Sequence, residues 1–177
     1  MLWGIPLYAS RAELHDEIVG KQGAFDRLRR SLSLLLSGGA AIELRTVVMK
    51  QNWYDLPKLA KYVAARLPFI DRWALMQLEN IGFGRMNWQK SFQDTSADFG
   101  ALDRAIDIAS ARGVETTLFN FPLCSVPAPY RTLAPATISD WKCKHESFCD
   151  DCSARSRCGG FFEWYDHRNG FAKLGAL

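Results

Sequence analysis

No cysteine occurs before residue 124, although the chain of 177 residues holds five. The first two thirds therefore contain neither a disulfide framework nor a thiolate metal site, and must fold on packing alone. Long hydrophobic runs are also missing. The longest, near Leu32 to Leu44, is interrupted by Ser37, Gly38 and Gly39 and falls short of the roughly 20 apolar residues that cross a bilayer. Charge of one sign is not in excess: 22 Lys and Arg stand against 19 Asp and Glu, with a pI near 8.6. The basic residues are scattered among acidic ones, which argues against a dedicated nucleic-acid surface. Met1 to Ser10 has no basic stretch and no small-residue cleavage site, so no secretory signal is read there. These absences lead us to expect a soluble, cytoplasmic protein with neither a membrane nor a nucleic acid as partner. In that reducing compartment, thiols go to metals more readily than to disulfides.

What is present has a clear order. Apolar residues make up 48% of the chain, enough for a sizeable core. Leu2 to Tyr8 reads as a strand, Ala12 to Val19 as a helix stopped by Gly20, and Phe25, Leu28, Leu32 and Leu35 repeat at helical spacing up to Gly38 and Gly39. Ile42 to Met49 is a β-branched run, Leu56 to Leu67 a helix that tolerates Pro57 in its first turn, and Arg72 to Leu78 the next strand. Asp98 to Arg112 carries an apolar face and leads through Gly113 into a strand from Val114 to Phe119. This alternation predicts an α/β fold with a parallel sheet covered by helices. After Asn120 the texture turns to prolines and short polar pieces. A boundary there divides the chain into residues 1–120, carrying the α/β part, and residues 121–177, a cofactor-binding extension.

The extension holds every cysteine. Cys149, Cys152 and Cys158 have a C-x2-C-x5-C spacing that runs into Gly159, Gly160, Phe161 and Phe162. Two thiolates three positions apart in a tight loop turn toward one centre, with backbone N–H groups facing the sulfurs. Cys124 completes a four-thiolate set suited to an iron–sulfur cluster or to a structural zinc. Cys143, whose distance from the others nothing fixes, is left over unless it replaces one of these ligands, and His145 is an alternative ligand for zinc. The alternative to any metal is a set of reduced or disulfide-paired thiols. His15 and Asp16 are neighbours on a helix and so do not face each other, which gives His15 a packing role rather than an acid–base one.

These segments resemble a known family. His15-Asp16, Gly20, Gly23 to Asp26, Arg45 to Val48 and Asn52 resemble the second half of the barrel of radical S-adenosylmethionine (SAM) enzymes. Asn120 to Cys124, Ile138 to Lys142 and the block from Cys149 to Phe162 resemble the C-type maturases of the His-Xaa-Ser peptide-modification system. The resemblance implies a partial (β/α) barrel followed by an extension that binds an auxiliary 4Fe–4S cluster through Cys124, Cys149, Cys152 and Cys158. It also implies that Ser10, at the end of the first strand here, touches the SAM ribose. Arg45 then helps to hold the methionyl carboxylate, with Asn52 just beyond. Glu79 draws attention by position alone, at a further strand end where such folds gather ligands. The alternative reading has Ser10 capping a helix, Arg45 paired with Glu43, and Asn52 in a turn.

One departure limits the activity to be expected. Enzymes of this family hold the catalytic cluster in a C-x3-C-x2-C loop near the first barrel strand, and this sequence has none. The chain is therefore expected to be a fragment, a split subunit or a degenerate relative, inactive without an amino-terminal barrel half or a partner maturase subunit. The complete enzyme would generate a 5′-deoxyadenosyl radical and take hydrogen from a peptide substrate with His-Xaa-Ser repeats. The reading from a different class is a non-catalytic α/β interaction module with a structural four-cysteine zinc site.

Overall fold

Four strands of the computed structural model, which describes residues 2–177, pair in the order β1 (Leu2–Pro6), β2 (Ala41–Val48), β3 (Arg72–Gln77) and β4 (Thr116–Phe119), forming a parallel sheet flanked by helices. Right-handed crossovers are the rule for parallel strands. The connections are α1 (Ala12–Val19) and α2 (Ala24–Ser37), then α3 (Leu56–Arg66), then α4 (Gly82–Met86), α5 (Trp88–Ser91) and α6 (Gly100–Ser110), and α3 packs against α6 and α1 against α2. The expected α/β alternation is therefore present. The two short helices α4 and α5 had no periodic signal to reveal them, since neither exceeds five residues and an apolar stripe needs about two turns to declare itself.

The chain divides into two compact units. The first comprises residues 1–47, 51–75 and 100–116. Its core is Ile42, Leu44, Trp73 and Leu75 from the strands with Leu59, Val63, Leu102 and Ile106 from α3 and α6, all nearly inaccessible to solvent. A buried relay pins three segments of this unit. The Trp73 indole N–H donates to Thr46 Oγ1 at 2.9 Å, and that hydroxyl donates to the Leu7 carbonyl at 2.6 Å. Helix α1 ends where Gly20 takes φ +70°, the left-handed conformation that glycine adopts without strain. Helix α2 is capped from upstream: the Asp16 carboxylate accepts the Gly23 N–H and the Phe25 N–H, the latter at 2.8 Å. A negative group at that helix start offsets its unpaired donors and its dipole. His15 packs against Tyr8 and Phe25, and its Nδ1 accepts the Tyr8 N–H at 3.2 Å, which is the packing role expected of it.

The opposite face of this part of the sheet is polar. Side chains alternate along a strand, so Ile42, Leu44 and Thr46 share the buried face while Glu43 and Arg45 point the other way. The Glu43 carboxylate is fully buried between two guanidinium groups, accepting Arg45 Nε at 2.7 Å and Arg72 Nε. Gly4, paired beside Glu43 in the parallel register, makes room for this arrangement. A Cβ at Gly4 would stand 2.5 Å from Arg45 Cζ. β1 lies at the edge of the sheet, with Leu2 44% and Trp3 47% exposed.

The second unit comprises residues 48–50, 76–99 and 117–177. Regular structure is sparse in it. A two-stranded antiparallel ribbon pairs β5 (Cys143–Lys144) with β6 (Phe161–Phe162), and most of the rest runs through single 3-10 turns. Aromatic packing holds it together: Trp88 stacks on Phe92 at 4.3 Å between ring centres, and Phe161 stacks on Tyr165 at 4.7 Å. The Trp88 indole N–H donates to the Asn169 carbonyl at 2.7 Å. No helix among the described residues is long and apolar enough to cross a membrane.

Candidate functional site

In the second unit the cysteines are gathered by short turns rather than by helices. Cys149 closes the 3-10 turn Ser147–Cys149, and the Cys152 N–H returns to the Cys149 carbonyl at 3.2 Å. Cys158 follows a second such turn, Arg155–Arg157, and Cys124 lies in a third, Leu123–Ser125. Cys124, Cys149, Cys152 and Cys158 line one small pocket together with His145, Phe148 and Phe161. Backbone N–H groups face the sulfurs. Leu123 and Gly160 donate to Cys158 Sγ at 3.4 Å each, and Leu177 donates to Cys152 Sγ at 3.4 Å.

Several features of this pocket fit a thiolate-bound metal group. N–H donors stabilise sulfur in its anionic form. The His145 Nε2 is buried with no hydrogen-bond partner, so a ligating nitrogen is at hand beside the thiols. Gly160 sits at φ +64°, where an added Cβ would lie 2.6 Å from the Lys144 carbonyl and 3.2 Å from His145 Nε2. Glycine thus serves both the turn and the close approach of the ribbon to the pocket. Cys143 stands apart by its bonding: its thiol donates to the Gly159 carbonyl at 3.1 Å.

Electrostatics separate the thiols. Burial pushes the Cys124 thiol up to about 11, with the neighbouring Cys158 and Cys149 acting in the same direction. Burial likewise raises Cys149 and Cys143. Cys152 is lowered, first by the Leu177 N–H and then by that of Ala154. A bound cation reverses the penalty on the raised thiols, because thiolate charge is then paired rather than isolated. Among the described residues no group of three or more His, Cys, Asp or Glu side chains is gathered closely enough to hold a metal ion, and the pocket has about 10 Å³ of free space. Four sulfurs therefore share a pocket without converging on one point, and occupation by any metal group requires the surrounding turns to adjust.

The residues expected at a SAM site lie in the first unit, near the carboxyl ends of β1 and β2. Ser10 does not cap α1, whose start has no side-chain cap. Its N–H and hydroxyl both donate to Asp55, at 2.6 and 2.9 Å, which leaves the Ser10 oxygen as an acceptor only. Arg45 pairs with Glu43 through Nε while its side chain stays 47% exposed. Asn52 is fully buried and its Nδ2 donates to the carbonyls of Tyr8 and Val47 at 2.9 Å each, tying together the segments that follow β1 and β2. Glu79 lies in the second unit, 3.9 Å from Lys142 Nζ.

Asp55 escaped the sequence reading. It is 7% exposed and receives both Ser10 bonds, and its only signal was a carboxylate close behind a strand end. The Leu177 N–H, which faces Cys152, was equally hidden, since backbone donors carry no sequence signature. Compared with known proteins, the chain matches no family model, no curated protein and no solved structure.

Proposed function

We propose that the chain is the second half of a radical SAM (β/α) barrel followed by an auxiliary 4Fe–4S centre, and that it works within a peptide maturase of the His-Xaa-Ser type. The observation that carries this reading is the shared pocket of Cys124, Cys149, Cys152 and Cys158, with N–H donors aimed at its sulfurs. When bound, such a cluster supplies one-electron chemistry or a Lewis-acidic anchor. The residues of this chain would hold it by four thiolates and tune it through the N–H groups of Leu123, Gly160 and Leu177.

The sheet supports the same reading. Parallel strands in sequential order, as here, are those of a (β/α) barrel, whose ligand-binding residues gather at the strands' carboxyl ends, and β2 has a polar face. That face carries Arg45, which meets Glu43 through Nε, so that its terminal NH2 groups suit a carboxylate taken bidentately. The Ser10 oxygen would accept from a ribose hydroxyl, and Asn52 would keep both segments in place. With no C-x3-C-x2-C loop in the sequence, chemistry on a peptide bearing His-Xaa-Ser repeats requires an amino-terminal half or partner subunit.

A second reading has its own observation. The unpartnered His145 Nε2 and the small free space of the pocket suit one zinc ion in a non-catalytic interaction module. Anaerobic purification followed by iron, acid-labile sulfide and zinc analysis separates the two. The cluster reading predicts brown protein with about four iron and about four sulfide per chain. Colourless protein carrying zinc alone contradicts it.

A further inference from the structure

Gln77, the last residue of β3, is 5% exposed, yet neither Nε2 nor Oε1 of its side chain has a hydrogen-bond partner. A buried carboxamide that gives up water on all sides and gains nothing in return is less stable than an apolar side chain of the same shape. Gln77 stands in the wall of a cavity of about 20 Å³ that is otherwise mostly aromatic, lined by Trp88, Phe92, Phe162, Tyr165 and Phe171 among others. A second orphan faces the same neighbourhood: Asn80 lines this cavity and its Oδ1 is buried without a partner. Asn120, which also lines it, holds φ +66°, the one positive φ outside glycine among the described residues. Strained backbone and unsatisfied polar groups are features that structures keep at binding sites. The position agrees, because Gln77 and Asn120 lie at the carboxyl ends of parallel strands, where α/β folds gather ligands.

We propose that this cavity is a binding site for a neutral planar group that presents a hydrogen-bond donor beside an acceptor, a carboxamide or peptide unit, with Gln77 as its anchor. Two carboxamides pair head to tail through two hydrogen bonds, which satisfies both orphan atoms of Gln77 at once. The Asn80 oxygen accepts the remaining N–H of a primary amide. Aromatic faces receive the flat amide once they part to admit it, since about 20 Å³ holds little more than a water. No Asp, Glu, Lys or Arg lines the cavity, which disfavours ions, although Lys142 and Lys144 lie over the Phe162 and Tyr165 rings at 5.3 and 5.9 Å. Tyr165 does not add a charge: burial pushes its phenol up to about 12, and its oxygen accepts the Phe171 N–H at 2.9 Å. This proposal does not depend on a metal in the cysteine pocket, so either can fail alone.

Side-chain amide NMR signals of the full 177-residue chain provide the test. The Gln77 pair is assigned by its loss in Gln77→Leu, and acetamide is titrated against sodium acetate and isopropanol. The proposal predicts a saturable shift of the Gln77 signals with acetamide, at a midpoint on the order of millimolar, and none with the other two. Gln77→Leu and Gln77→Met should both lose acetamide binding at their aromatic neighbours and melt ~2–4 °C higher. Absence of a response to acetamide, or an equal response to acetate, overturns the proposal. So do variants that melt lower or fail to fold, because a trapped water or hidden partner would then be satisfying Gln77.

Discussion

The thiol of Cys143 donates to the Gly159 carbonyl at 3.1 Å, and Cys143 is not among the side chains that line the cysteine pocket. Its four companions instead line a common pocket, where Cys152 and Cys158 accept backbone N–H groups. Cys143→Ala should therefore retain metal at the level of the parent, whereas Cys149→Ala, Cys152→Ala and Cys158→Ala each lose most of it. Metal per chain by elemental analysis reads the outcome. If Cys143→Ala empties the site while Cys124→Ala leaves it full, the fourth ligand is Cys143. Gly4 offers a second residue-scale test. An added methyl would meet the Arg45 guanidinium at 2.5 Å, the movable end of a half-exposed side chain, so Gly4→Ala should cost no more than about 1 kcal/mol, through displacement of Arg45 from Glu43. In a double-mutant cycle on urea midpoints, Arg45→Ala should relieve most of that loss, since the clash is with a side chain that is then gone. Additive losses would contradict this geometry. The cysteine spacing was legible because ligands held in one tight loop leave a short motif. Asp55 and the unpartnered amide of Gln77 were not, because their roles depend on segments far away in sequence.

At the scale of elements, local pattern carried most of the information. Gly20, Gly38 and Gly113 marked helix ends, and the β-branched run at β2 marked a buried strand, since these features act within a few residues. The cap of α2 by Asp16 was illegible for the opposite reason: the carboxylate lies seven and nine residues from the N–H groups it accepts, outside any standard capping spacing. The same junction sets a pH dependence. Burial lowers the pKa of His15, with Asp16 opposing, and its Nδ1 must stay unprotonated to accept the Tyr8 N–H. A base whose folded-state pKa lies below its unfolded value of 6.5 binds more protons when unfolded. Its contribution is therefore fully present above that value and is lost as pH falls through the folded-state pKa. Urea midpoints at fixed protein concentration should drop between pH 7.5 and pH 5, and His15→Leu should flatten that drop. A midpoint that rises on acidification would contradict the buried, neutral imidazole.

For the whole molecule, a parallel sheet was readable from the alternation of patterns, and the resemblance to half a barrel put an exposed edge at Leu2 to Tyr8, where β1 does lie at the edge. Leu2 to Tyr8 is apolar at most positions, as a central strand is, yet β1 is at the edge with Leu2 and Trp3 about half exposed. Hydrophobicity records what a strand needs to bury, and only the fold records whether this chain buries it. Such an edge, with free N–H and C=O groups beside apolar side chains, pairs readily with another chain. The proposed barrel needs further strands to complete this sheet, and the mass of the isolated chain in solution is the direct test. Size-exclusion chromatography with light scattering at micromolar concentration should show self-association, relieved by co-expression with the amino-terminal half of a radical SAM maturase. A sharp monomeric peak without a partner, accompanied by cooperative unfolding, would contradict the account.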